Sequence, residues 1–366
     1  MARVLVAANS SWNLQNFRAG LIAELLREGH AVTTLSPDPQ GVEIDGLRVP
    51  HRTWAMDRSG TGPLRELRSI AALLLTLRKE RPEIFLGFTI KPNIYGCFVC
   101  RCLGIPAVAN VSGLGTAFLA SGSIRHAALL MYRVAFARTK TVFFQNPDDR
   151  ELFLRAGTVR PQQAVLVPGS GVDLSHFSAT ALPHRLRFLM IGRLLGDKGV
   201  REYVAASRLM RDRVPGASFA LLGEIDHHNP SAIREQELES WVASGAIDYL
   251  GATSDVRPFI RDATAVVLPS YREGLPRALV EAAAMARPLI ATDVPGCREV
   301  VRDGVTGFLC LPRDPLSLAV AMERLAGMTH AGRAAMGAEA RRMTEREFDQ
   351  RIVFQYYLDA LNAAIA

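Results

Sequence analysis

The chain is 366 residues long, 49% hydrophobic and 22% charged, which excludes a disordered or fibrous polypeptide and leaves room for two domains, each with its own core. The net charge of +7 is uneven: residues 1–170 hold 20 Lys and Arg against 12 Asp and Glu, and the remainder is close to neutral. A basic N-terminal half calls for an anionic partner; no nucleic-acid motif accompanies it, so that partner reads as an anionic lipid face or a diphosphate substrate.

No apolar run approaches the roughly 20 residues needed to span a bilayer. The N-terminus reads as a first strand rather than a signal peptide. Five cysteines do not make a secreted disulfide framework. Cys97, Cys100 and Cys102 cluster, but there is no second C-x-x-C pair and no histidine at ligand spacing, so buried free thiols are expected rather than zinc. Cys297 and Cys310 are isolated.

Residues 3–8 read as a strand buried on both faces, 9–16 as a polar loop containing Trp12, 17–28 as a helix and 31–36 as the next strand, a βαβ opening. The first loop lacks the G-x-G-x-x-G dinucleotide fingerprint. It leads to Asn16, Phe17 and Arg18 at the end of the strand where open α/β sheets place ligands. Arg18 is either a solvated first-turn arginine, opposing the helix dipole, or a ligand contact. A short strand is read at 47–50. Residues 63–79 form a helix pattern with Leu67, Ile70, Leu73, Leu74 and Leu77 on one stripe. A strand at 84–88 leads directly into Lys91 and Pro92; Lys91 is either a phosphate contact or a solvated loop lysine. The strand at 107–111 ends in Ser112 and Gly113, with Gly115 beyond, where glycine lets the backbone approach a ligand closely. Residues 123–140 are an apolar helix pattern carrying Arg125, His126, Arg133, Arg138 and Lys140. It is either a half-buried core helix with a basic outer face or a helix lying on a membrane. Strands follow at 141–144 and 165–168, with a helix between them beginning near Asn146, and the polar stretch 175–187 reads as the inter-domain linker.

The second half restarts the alternation, with strands at 188–191, 219–222, 247–250, 265–268 and 289–292, which implies a second doubly wound sheet. The loop Gly192-Arg193-Leu194-Leu195-Gly196-Asp197-Lys198-Gly199 follows the first of these. Its two cations, Arg193 and Lys198, can face one point and match a diphosphate. It is not a Walker loop, because spacing and ending are wrong. His227 and His228 lack further ligands, so no metal is expected there. The stretch 265–285 is strand, tight loop and alanine-rich helix, a unit that turns helix N–H groups toward an anion. Pro276 suits the first helical turn, and Arg277 shares that turn. Glu273 and Glu281 sit eight positions apart: either two acceptors on one ligand or an ordinary turn and surface pair. Helices at 315–326, 331–343 and 348–364 close the chain. The last is more apolar than one exposed face requires.

In combination these stretches resemble the retaining glycosyltransferases of family four. The resemblance rests on Glu273 and Glu281 in an E-x7-E arrangement within SYREGLPRALVEA and on GRLLGDKG, and it covers most of the chain. NFRAGL, TIKPNIYG, VSGLGTAF, GEIDHHNPSAI and YLGATSDV are similar to bacterial enzymes that extend undecaprenyl-diphosphate-linked sugars, N-acetylgalactosaminyltransferases and O-antigen or capsule transferases among them. The resemblance implies the GT-B fold: two Rossmann-like, doubly wound parallel-sheet domains facing a central cleft. They would be an acceptor-binding domain at 1–175, with helix 348–366 packing back on it, and a nucleotide-sugar domain at 186–347. It implies a UDP-sugar donor, no metal or other cofactor, a lipid-diphosphate-linked acceptor, and a peripheral place on the anionic cytoplasmic face of the inner membrane. Carried over by position, Arg193 and Lys198 would bind the donor diphosphate and Glu281 the ribose. Glu273 would hold the sugar hydroxyls, with Gly192 and the backbone of Leu275 and Arg277 beside them. Leu250 and Gly251 would hold uracil. Asn16, Arg18, Lys91, Ser112 and Gly113 would face the acceptor. The first loop departs from the glycine pair of many relatives. Two other activities stay open at this point: a UDP-sugar epimerase of the same plan, and a silent UDP-binding protein.

Overall fold

The computed structural model describes residues 1–57, 62–114, 122–227 and 229–365. Gly115 with the rest of VSGLGTAF past Leu114, and His228 of the histidine pair, lie outside the described residues. The chain divides into two units, Met1–Ser170 with Gln350–Ala366, and Gly171–Asp349.

The first unit is laid down as β1 (Arg3–Ala7), α1 (Ser11–Arg27), β2 (Ala31–Ser36), a small hairpin of β3 (Glu43–Ile44) and β4 (Leu47–Arg48), β5 (His51–Thr53), α2 (Pro63–Glu80), β6 (Ile84–Phe88), α3 (Cys97–Leu103), β7 (Ala107–Val111), α4 (Gly122–Phe136), β8 (Thr141–Phe144), α5 (Pro147–Arg155) and β9 (Ala164–Leu166). Among the described residues, seven strands pair in parallel in the order β5-β2-β1-β6-β7-β8-β9. Side chains alternate across the sheet, so each strand feeds two cores. Val4 and Val6 face α1 and the terminal helix Gln350–Ile365, which buries Phe354, Tyr357 and Leu361 there. Leu5 and Ala7 face the other way, toward Leu73 and Leu77 of α2, Cys97 of α3, Tyr132 and Phe136 of α4 and Phe153 of α5. Gly20 of α1 touches Gln350 and Phe354, where a Cβ would meet side-chain atoms at 2.8 and 2.9 Å, so the two helices pack closely.

The second unit runs β10 (Arg187–Ile191), α6 (Val200–Arg211), β11 (Ser218–Leu222), α7 (Glu235–Ala243), β12 (Asp248–Tyr249), α8 (Arg257–Arg261), β13 (Ala265–Leu268), α9 (Arg277–Ala284), β14 (Leu289–Thr292), β15 (Gly307–Cys310), α10 (Pro315–Gly327) and α11 (His330–Glu347). Six parallel strands lie in the order β12-β11-β10-β13-β14-β15. One face packs on α6, α7 and α10, the other on α8, α9 and α11. Residues 171–187 belong to this unit. Arg287, fully buried, ties them down by donating to the carbonyls of Thr180 and Ala181 at 3.0 and 2.9 Å.

Several expectations need correction. Residues 11–16 are not loop: Ser10 caps α1 by accepting from the Asn13 amide at 3.0 Å, and the polar first turn is helical with Trp12 exposed. Arg18 therefore lies mid-helix rather than in a first turn. Leu67 is not on the buried stripe of α2 but exposed. Pro276 is the N-cap of α9 rather than its first helical residue. Cys102 is exposed, unlike Cys97 and Cys100. The short strands β5 and β15 and helix α8 carry too little periodicity to be read from sequence. Position 307, the first of β15, has room only for glycine: a Cβ there would meet the Leu289 carbonyl oxygen at 1.9 Å.

Candidate functional site

In the second unit the strand order reverses between β10 and β13, which lie side by side. The crevice beyond their C-terminal ends is where a doubly wound sheet holds a ligand. The loop after β10 turns at Gly199, φ +76°, beneath Pro269; a Cβ would come within 2.1 Å of the Pro269 carbonyl oxygen. The Tyr271 amide donates to the Asp197 carbonyl at 2.9 Å, locking the two loops together. The result is that Lys198 Nζ donates to Glu273 Oε1 at 2.5 Å, and Ser270 Oγ donates to the same oxygen at 2.5 Å. From the far side the Glu273 amide donates to Pro295 O at 3.1 Å. Gly296, φ +88°, lies against it, so a Cβ at 296 would meet the Glu273 Cβ and carbonyl at 2.7 Å.

Arg277 Nε donates to Glu281 Oε1 at 2.5 Å within α9. Glu281 is not a surface glutamate: it is 8% exposed, and burial raises its carboxyl above the ordinary carboxylate value while the Arg277 guanidinium pulls it back. Leu275, half-buried, packs on the core beneath. Arg193 is brought to Asp226, donating through Nη1 at 2.7 Å with about half its side chain exposed. Glycine follows β10, β11 and β12 within one or two residues of the strand end, at 192, 223 and 251. Gly223, φ +151°, abuts Gly192, whose carbonyl oxygen a Cβ would meet at 1.9 Å, and its amide donates to Gly251 O at 2.8 Å. The Leu250 amide donates to Leu221 O at 2.9 Å. A ligand can thus approach backbone here without side chains in the way. Sequence reasoning missed Asp226, Ser270 and Gly296; the positions of Ser270 beside the strand end and of Gly296 in a Pro-Gly pair were the available signals.

In the first unit the reversal lies between β1 and β6. Arg18 is 4% exposed, its guanidinium carbon 4.1 Å above the Phe88 ring, and Nη2 donates to Ser112 Oγ at 3.3 Å. Ser112 donates to Asn110 Oδ1 at 2.8 Å, which also accepts from Gln145 at 3.3 Å, while Asn110 Nδ2 donates to Tyr357 of the terminal helix at 2.5 Å. Gly113, φ +132°, follows. Asn16 Nδ2 donates to its own helix at Trp12 O, 2.9 Å. Lys91 is neither solvated nor in a loop. It sits in helical backbone and donates to Glu66 Oε1 at 2.7 Å and to Asp57 O at 2.6 Å. Tyr95 donates to the other Glu66 oxygen at 2.6 Å. Asn110, Tyr357 and Glu66 were missed, since nothing local marks them as partners. Among the described residues no three His, Cys, Asp or Glu side chains group as metal ligands.

Two family models match the chain: Glycosyl transferase 4-like domain over residues 15–169 and Glycosyl transferases group 1 over residues 185–327. The chain carries both domains of these glycosyltransferases and is itself a glycosyltransferase, with the GT-B fold. It is similar to the N,N'-diacetylbacillosaminyl-diphospho-undecaprenol alpha-1,3-N-acetylgalactosaminyltransferase of Campylobacter jejuni, 24% identical over 99% of both chains. It is also similar to the UDP-Gal:alpha-D-GlcNAc-diphosphoundecaprenol alpha-1,3-galactosyltransferase of Escherichia coli, 25% identical over 67% of each. Among solved structures, sucrose-phosphate synthase of Thermosynechococcus elongatus superposes with a TM-score of 0.82 at 19% identity, covering 99% of this chain and 100% of the other. Anabaena HepE in complex with UDP and glucose does so at 0.80 and 17%, with the same coverage.

Proposed function

We propose that the protein transfers a hexosyl or N-acetylhexosaminyl unit from a UDP-sugar to a lipid-diphosphate-linked saccharide, with retention at the anomeric carbon, during assembly of a bacterial surface glycan. The observation that carries this is the Lys198–Glu273–Ser270 cluster at the switch point of the second sheet. A fixed cation beside a fixed carboxylate suits a donor with an anionic leaving group on one side and sugar hydroxyls on the other. The relatives named for diphosphoundecaprenol-linked saccharides support the acceptor class.

In this reading Arg193 and Lys198 hold the diphosphate and stabilise the charge that grows on departing UDP, so that no metal is required. Glu273 orients the sugar. Glu281 accepts from ribose, Leu275 and Arg277 offer backbone amides, and Gly192, Leu250 and Gly251 present backbone to the nucleotide. The bond from the anomeric carbon to the phosphate oxygen breaks, the bond to the acceptor oxygen forms on the same face, and the acceptor proton goes to the departing phosphate. The acceptor side is assigned to the edge bearing Asn16, Arg18, Ser112 and Gly113; Lys91 holds α2 to the end of β6 through Glu66 and would reach an acceptor only by leaving it. The enzyme works peripherally at the cytoplasmic face of the inner membrane, and no helix among the described residues is long and apolar enough to cross one.

The test is UDP release with undecaprenyl-diphosphate-sugar acceptors. Lys198→Ala and Arg193→Ala should each lower kcat by about 100-fold or more, the scale of losing a donor aimed at transition-state charge, with unchanged melting. Near-wild-type kcat in either variant overturns the assignment. The product's anomeric configuration, read by NMR, decides retention. An epimer formed from UDP-sugar without acceptor would point to an isomerase instead.

A further inference from the structure

β7 reads Ala-Val-Ala-Asn-Val and is buried along its whole length, yet its fourth residue is polar. Asn110 is fully buried, and a buried amide costs free energy unless its donors and acceptors are met. Four side chains meet it. Its Nδ2 donates to Tyr357 Oη at 2.5 Å, its Oδ1 accepts from Ser112 Oγ at 2.8 Å and Gln145 Nε2 at 3.3 Å, and its backbone carbonyl accepts from Asn93 Nδ2 at 2.7 Å. Stability alone does not call for such a cluster, since replacing bonded partners by apolar groups of the same shape is often nearly neutral.

Arg18 rests on this cluster in two ways. Its Nη2 donates to Ser112 Oγ, whose own proton goes to Asn110, and its guanidinium carbon lies 4.1 Å from the centroid of the Phe88 ring. Both supports lead down to one residue of the terminal helix. The Tyr357 hydroxyl holds the Asn110 amide that orients Ser112, and the Tyr357 ring lies 5.7 Å from that of Phe88 and 4.7 Å from that of Phe143. Tyr357 is itself 1% exposed, so it reaches no substrate.

We propose that Tyr357 is a positioning residue for the acceptor: through Asn110 and Ser112 on one side and Phe88 on the other, it aims the Arg18 guanidinium at the acceptor's phosphates and so makes the enzyme select a diphosphate link over a monophosphate one. A guanidinium recognises phosphate by a planar fork, and a small rotation loses the fit. Such a group is held in register by neighbours that lock its rotamer. Of Arg18, Ser112, Asn110, Gln145 and Tyr357, only Arg18 is charged at neutral pH. The four neutral members therefore fix the cation without cancelling its charge. The proposal rests on the lipid-linked acceptor reading, and the experiment separates the two.

UDP release by the full chain is measured with one saccharide carried on undecaprenyl diphosphate and on undecaprenyl monophosphate. Wild type should prefer the diphosphate acceptor at least tenfold in kcat/KM. Tyr357→Phe keeps the ring and removes the hydroxyl. It should raise the KM of the diphosphate acceptor about tenfold, the scale of one hydrogen bond to a buried group. The kcat, the donor KM and the kcat/KM of the monophosphate acceptor should stay unchanged, so the preference falls by the same factor. Ser112→Ala should act alike, and adding Tyr357→Phe to it should change the KM less than twofold, because both act along one chain of bonds. Gln145→Leu loosens the same amide from its other side and should raise that KM about threefold; it is the variant to read if Tyr357→Phe does not fold. An unchanged preference in Tyr357→Phe, or in Gln145→Leu where that variant replaces it, overturns the proposal and leaves the acceptor reading standing. So does an equal loss on both acceptors, full additivity with Ser112→Ala, or a wild type indifferent to the second phosphate. A wild type that turns over neither acceptor overturns both.

Discussion

Glu281 shows how burial changes the meaning of one residue. Its carboxyl is held above the ordinary value by burial, with Arg277 opposing. A carboxyl whose pKa is higher folded than unfolded binds its proton more readily in the folded state. It therefore disfavours folding above both pKa values, and that cost fades as pH falls through the folded pKa. Glu281→Gln keeps an acceptor for Arg277 and removes the charge. It should melt higher than wild type at pH 7 without donor, and the gain should vanish toward pH 4. The same change should raise the donor KM by about 10- to 100-fold, the value of a hydrogen bond to a charged acceptor. Melting curves across pH and donor titrations check both; a gain that grows on acidification would contradict the sign. From sequence, the alanine-rich pattern put Glu281 in a helix but left its burial open, because burial depends on the α11 side of the sheet that α9 packs against.

At the scale of elements, the loop from β13 to α9 is shaped by contacts from outside it. Gly296, in the loop after β14, presses on Glu273 with positive φ and no room for a Cβ. Gly296→Ala should strain the backbone by about 1–3 kcal/mol and displace Glu273, lowering kcat by about tenfold or more. Gly216→Ala is the control. It has φ +85° but nothing within 4 Å of a Cβ, so it should reduce melting temperature and leave kcat alone. Equal loss of kcat in both would mean general softening rather than displacement. A different element, the helical start after β6, turns Lys91 away from the role its strand-end position suggested. The backbone winds straight into π-helical Pro92–Gly96, and the side chain meets Glu66 of α2. No local pattern announces that partner, 25 residues away.

For the whole molecule, two sheets with separate cores predict that unfolding is not a single two-state event. Calorimetry should resolve two transitions, and UDP should raise the one belonging to the second unit. Arg287→Met should lower that same transition. The fully buried guanidinium also donates to the carbonyls of Ile260 and Arg261, at 2.9 and 3.2 Å, and burial brings its pKa down to about 10. Leaving these carbonyls unpaired should cost about 3 kcal/mol or more, roughly 6–12 °C for a unit of this size. Phe354→Ala, in the terminal helix, should lower the other transition by about 3–5 kcal/mol. If one variant moved both transitions equally, the units would be a single cooperative body.

By itself the sequence determined the parallel, doubly wound class and the residues of β2, β6, β7, β8, β13 and β14 to the ends at which they are observed. Apart from β2, whose AVTTLS carries three hydroxyl residues and leaves Ala31 exposed, these strands are buried almost throughout, so each is a largely apolar run bounded by turn residues, and that signal is local. It also determined which side chains stand at strand ends, Lys198 and Glu273 among them. Only the tertiary structure decided that these two meet across 75 residues, that Arg193 turns to Asp226, and that Asn110 meets Tyr357 across 247. Such pairings follow from strand order and from close approaches at Gly199, Gly223 and Gly296, and neither leaves a periodicity in the chain.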